Sequence, residues 1–114
     1  MSLTNKTYQP VQSLSIRATA DLPAFRFINF AGGLCVADSR ALGVTDCAHA
    51  DGDLASVVSL GTVAMETSCA ITLGADVSAD ADGKAKLTLS TEIVNGRALE
   101  ACSGASVIRI KLLS

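Results

Sequence analysis

Residues 106–113 read SVIRIKLL. Ile108, Ile110 and Leu112 alternate with Arg109 and Lys111, so one row of side chains is aliphatic and the other cationic. Successive side chains of a strand point to opposite faces. A two-residue period therefore marks a strand with one face on a core and one toward water. QSLSIRA at residues 12–18 repeats the pattern, with Leu14 and Ile16 on one side and Ser13, Ser15 and Arg17 on the other.

Between these two runs lie more short apolar segments. AFRFINF (24–30) follows the Asp21-Leu22-Pro23 turn and sets Phe25, Phe27 and Ile28 against a core. LCVA (34–37), ALGVT (41–45), LASVVSL (54–60), GTVAMET (61–67), CAITLGADVSA (69–79) and KAKLTLS (84–90) read as further strands. Turn signals separate them at Gly32-Gly33, Asp51-Gly52, Gly61, Gly74, Asp82-Gly83, Asn95-Gly96 and Gly104. Glycine supplies positive φ and aspartate bonds its own backbone, so such pairs reverse the chain. GRALEACSG (96–104) suits either one or two helical turns or a strand. Short strands at close spacing predict an all-β fold: a small single-domain barrel or sandwich of short antiparallel strands with at most one short helix.

Composition bounds the function. A chain of 114 residues suits one domain, and at that size folding buries roughly two-thirds of the unfolded surface. The core must be built from Val, Leu, Ile and Ala, with Phe25, Phe27 and Phe30 as its only large apolar rings, because aromatics are 4% of the chain. Nine basic and eleven acidic residues, without a basic cluster, argue against nucleic acid. No apolar run approaches the ~18 residues of a membrane span. The opening MSLTNKTYQPVQS is polar and has no apolar core of a secretory signal, so synthesis in the cytoplasm is expected. Residues 1–11 read as an arm and 12–114 as the β-domain. The arm is either a frayed terminus or a segment that docks on a neighbour.

Chemistry-bearing residues concentrate in LCVADSRALGVTDCAHADGD (34–53), which holds the single histidine, His49, and two of four cysteines. Cys47 and His49 are two apart and would share a strand face, but a structural zinc site needs four ligands and no second pair exists. Asp46, Asp51 and Asp53 lack the register and closing glutamate of a calcium loop, as do Asp80 and Asp82. The aspartates are expected to make turns, His49 to lie on a surface loop, and Cys35, Cys47, Cys69 and Cys102 to be small buried thiols. No metal, cofactor or catalytic residue is assigned. No serine sits in a nucleophile elbow, Glu66, Glu92 and Glu100 stand apart, and no phosphate-cradling glycine loop is present. A hydrolase using Cys47 or His49 would require a fast-reacting thiol. A soluble carbohydrate- or ligand-binding β-module would require an aromatic platform, and the chain has no tryptophan.

Three stretches carry a resemblance. FINFAGGLCVADSRALGVTDCAHADGDLASVVSLGTVAMETS (27–68), LGADVSADADGKA (73–85) and GRALEACSGAS (96–106) together resemble the capsid decoration, or cement, proteins of tailed bacteriophages. The likeness spans about residues 12–113 and rests on architectural patterns of small residues. It implies a non-enzymatic structural protein of the virion, on the outer face of the shell between major capsid subunits. It also implies a homo-oligomer, with a trimer preferred and a dimer open, and no cofactor. Candidate contact residues on this chain are Tyr8 and Pro10 in the arm, and Arg17, Arg109 and Lys111, which face outward on the terminal strands.

Overall fold

The computed structural model describes residues 10–89 and 91–112. Eight strands follow in order: β1 (Pro10–Arg17), β2 (Phe27–Ile28), β3 (Gly43–Thr45), β4 (Leu54–Glu66), β5 (Asp76–Ala79), β6 (Ala85–Leu87), β7 (Gly96–Ala98) and β8 (Val107–Leu112). All pair antiparallel in one sheet ordered β2-β3-β4-β8-β7-β5-β6, and β1 pairs with β4 off this path. The described residues contain no helix. The two ends of the sheet approach each other. Phe27 N–H of β2 donates to Gly83 O in the turn before β6, and Thr67 bridges Ala85. Glu66 accepts from Arg26 (3.1 Å) and Lys84 (3.3 Å) across the same seam. The sheet is thus a nearly closed barrel, which hides strand edges that would otherwise pair with other chains.

LASVVSL and GTVAMET are one strand rather than two. Gly61, with φ 106°, bends β4 without ending it. The first half of β4 pairs with β1 and β3, and the second half with β8. Val58 faces the main core before the bend, and Val63 and Met65 face it afterwards. An even position has been replaced by odd ones. Such a change of phase needs an irregularity of the bulge type, and the β1–β4 register shifts at Gln12, opposite Leu60. Gly43 is required for a different reason: a Cβ there would lie 2.2 Å from Val58 O.

The main core gathers Phe27, Val44, Val58, Val63, Met65, Val77, Ile108 and Ile110. A smaller cluster of Ala18, Leu22, Ile28, Ala55 and Val57 lies against the other side of β4. Ile108, Ile110 and Leu112 point inward, as their alternation predicts. Four expectations fail. Phe25 takes φ 64° and is half-buried, belonging to neither core cluster. Phe30 is 62% exposed, because the Asn29 side chain accepts the N–H groups of Ala31 and Gly33 and tightens a turn that carries the ring out of the core. LCVA forms no strand: it gives a Leu34–Ile28 bridge and buries Cys35 in the main core, while Val36 is exposed. CAITLGADVSA is divided by a turn at Thr72–Ala75, with Ile71 bridging Cys102 before it and β5 after it. GRALEACSG begins as strand β7, where Ala98 is buried and the segment pairs with β5 and β8. So short a segment gains little by nucleating a helix.

Candidate functional site

β1 lies off the main path of the sheet. One of its edges is bonded to β4, and no other strand pairs with it among the described residues. Unpaired N–H and C=O groups along a strand edge form a template for another strand. The strand carries apolar side chains outside the core: Val11 is 71% exposed and Leu14 37%. Leu54, opposite Arg17 in the ladder, is exposed as well. Near the other end of β1, Ser59 donates to the Gln12 carbonyl oxygen and helps line a pocket of about 330 Å³. Phe30, Arg40, Leu42, Val94 and Asn95 form other parts of its wall.

The contact residues expected from sequence do not form one cluster. Tyr8 lies outside the described residues. Pro10 opens β1 opposite Gly61, and Lys111 of β8 lies opposite Thr62, so the two sit at consecutive positions of the β4 bend. Both are exposed. Arg17 lies at the far end of β1 and donates through Nη1 to Gly52 O at 2.7 Å, bracing the Asp51-Gly52 turn. Arg109 is half-buried and turned onto Glu100, whose Oε2 accepts both its backbone N–H (2.9 Å) and its Nε–H (3.3 Å). Its guanidinium is engaged within the chain. The exposed apolar residues Val11, Leu54 and Phe30 were not singled out as contacts. The available signal was an apolar residue next to the polar arm or directly beside a turn.

The cysteines divide. Burial pushes the Cys35 thiol above its ordinary range, with a smaller opposing effect from a Ser39 hydrogen bond. Cys69 and Cys102 are half-buried. Cys47 is exposed, against expectation, because the chain bends away from the sheet directly after buried Thr45. Its thiol is also raised, by desolvation first and then by the Asp46 carboxylate. His49 is half-buried rather than loose on the surface. Its backbone exchanges two hydrogen bonds with Leu22, at 2.8 and 2.9 Å. Its Nε2 accepts the Ser56 N–H at 3.3 Å and lies 3.4 Å from Cys47 Sγ. The Asp51-Gly52 and Asp82-Gly83 segments behave as turns. Asp80 Oδ1 accepts the N–H groups of Asp82 and Lys84, and Gly52 and Gly83 take positive φ.

A nearly closed barrel in which one strand has a single strand partner among the described residues suits a structural module, and sequence comparison decides its kind. The phage cement protein family matches residues 6–112. The chain belongs to that family. A solved relative in fold is the N base of the head fiber gp8.5 of bacteriophage phi29. It has a TM-score of 0.74 and 20% identity, over 90% of this chain and 93% of the other. No curated protein sequence matches. This cement protein is therefore a capsid-associated structural protein of a phage, as the resemblance implied. Among the described residues there is no helix long and apolar enough to cross a membrane.

Proposed function

We propose that this cement protein binds the outer face of the phage shell where major capsid subunits meet, and stabilises the shell there as a homo-oligomer. The observation that carries the reading is β1: an open strand edge with exposed Val11 and Leu14 on a barrel that is otherwise nearly closed. A partner strand added to that edge would satisfy its backbone groups and cover its apolar side chains. Lys111 and Arg17 flank the surface and would meet acidic groups of the capsid, adding orientation more than affinity. The arm that precedes β1 would extend the same contact, with Tyr8 as an aromatic anchor. Individual contacts need not be strong, because one oligomer touching several subunits gains through multivalency. The role is mechanical, with no catalytic residue and no cofactor required for it.

The test is co-sedimentation with expanded capsids that lack this protein. Saturable binding at a fixed ratio to the major capsid protein is expected, and the ratio distinguishes trimeric from dimeric sites. Val11→Asp with Leu14→Asp should lower affinity by about tenfold or more, the loss expected when a central apolar contact becomes charged. Unchanged binding of that variant would remove β1 from the interface. A complete failure of the unmodified protein to bind shells, expanded or unexpanded, would remove the reading itself.

A further inference from the structure

The bend that follows β3 gathers three donors of different kinds. Ligand atoms of Asp46, Cys47 and His49 all lie within 4.8 Å of one another. Cys47 Sγ and His49 Nε2 are 3.4 Å apart. In a tetrahedral zinc site, Zn–S and Zn–N bond lengths put sulfur and nitrogen about 3.6 Å apart. The thiol and imidazole therefore already stand at ligand spacing. Asp46 completes the group within 4.8 Å, a half-buried side chain whose carboxylate can adjust by rotation about its own bonds.

Two features make the arrangement a site rather than a chance encounter on a loose loop. His49 is fixed by its paired backbone bonds to Leu22, and Thr45, next to Asp46, is buried with its hydroxyl donating to Pro23 O at 2.7 Å. The ligands thus hang from a braced backbone at both ends. The His49 ring is also placed for it: Nε2 lies 3.3 Å from the Ser56 N–H, which donates to it. That bond is long, and a coordinate bond would replace it. Asp51 and Asp53 follow closely in the chain, and Asp21 Oδ1 accepts the Asp51 N–H, so the neighbourhood favours a cation. The opposing charge nearby is Arg17, which is committed to Gly52 O.

We propose that Asp46, Cys47 and His49 bind a divalent cation of the zinc class, with three protein ligands and a fourth position open to water or to a donor on a docked partner. A carboxylate, a thiolate and an imidazole suit zinc or cobalt and not calcium, which takes oxygen ligands in larger number. Binding forms a metal–sulfur bond as the Cys47 S–H bond breaks, and the proton leaves to solvent. This site is independent of the β1 contact, since its ligands belong to the β3–β4 connection.

The experiment is titration of the full chain with Co²⁺, reading the thiolate-to-cobalt charge-transfer absorption, followed by displacement with Zn²⁺. Saturation at one cobalt per chain is expected, with the band lost on Zn²⁺ addition and unaffected by Ca²⁺. Cys47→Ser should abolish the band while leaving the circular dichroism unchanged, because the side chain is exposed. His49→Ala and Asp46→Asn should each weaken binding by at least roughly tenfold, the lower end of what even outer ligands contribute. Absence of a saturable band would overturn the proposal. So would a band that survives Cys47→Ser, because it would belong to another thiol.

Discussion

β8 and β1 are written in nearly the same pattern and meet opposite fates. VIRIKL and QSLSIR both alternate apolar with polar residues, and both strands run antiparallel to β4. β8 lies between β4 and β7, and its Ile108, Ile110 and Leu112 are buried in the main core. β1 has β4 on one side and, among the described residues, no strand on the other; Ile16 packs against the smaller cluster, but Leu14 is 37% exposed and Val11 71%. Alternation tells that a strand has two chemically different faces. It does not tell what covers the apolar one. In β8 the chain covers it; in β1 the proposed cover is another molecule.

Truncating each strand would break or sharpen this contrast, and the largest effect is expected at β8. Ile110 is fully buried, and Ile110→Ala should destabilise the fold by about 2–5 kcal/mol through lost burial and the cavity left behind. Val11→Ala removes a side chain that is mostly exposed and should change stability by no more than about 0.5 kcal/mol. Chemical denaturation of both variants measures the difference. Equal losses would mean that β1 is held by its own chain as firmly as β8, and the case for an external cover would fail.

The strand between them supplies the next effect. Gly61 at φ 106° allows β4 to serve β1 and β3 with one half and β8 with the other. Gly61→Ala places a Cβ in a backbone conformation that L-residues rarely adopt, and a cost of about 1–3 kcal/mol is expected. The loss should appear in thermal melts. Hydrogen exchange should show it concentrated in the β1–β4 pairing, since β1 has no second partner strand among the described residues to hold it. Uniform loss across the β4–β8 pairing would instead mean that the two halves unfold as one.

These residues also show why some features could be read from sequence and others not. The all-β class, the inward row of β8 and the turns at Asp51-Gly52 and Asp82-Gly83 follow from local periodicity and local backbone bonding. Gly61 looked like the end of a strand, because a turn and a bulge both use positive φ, and only distant partners distinguish them. Phe30 looked like core, because the decisive force is the Asn29 side chain gripping two backbone N–H groups beyond it. The Cys47–His49 pair was visible from its spacing. Asp46 was not part of it, because neighbours in a straight strand face opposite ways, and it joins only where the chain bends. The contact residues were the least accessible, since outward direction on a strand does not reveal that Arg109 turns onto Glu100.

The smallest expected effect concerns the edge of the sheet opposite β2. Glu92 accepts from Lys86 of β6 and from the Leu89 N–H, and these bonds, the lysine's first, hold its carboxyl below the ordinary glutamate range. A carboxyl whose pKa is lower folded than unfolded binds protons more readily in the unfolded chain. Its stabilising contribution is therefore present above the unfolded value, near about pH 4.3, and is lost as pH falls through the depressed folded value. Glu92→Gln should remove that part of the acid response and leave the remaining carboxylates to titrate as before. Melting temperatures of the two proteins should differ at neutral pH and converge as pH falls through the depressed folded value, where the native glutamate becomes protonated as well. A constant difference across that range would mean that the side chain acts through packing and the Leu89 bond rather than through its charge. The β5–β6 edge would then be held by the same local backbone bonding as the turns, with little help from ion pairing.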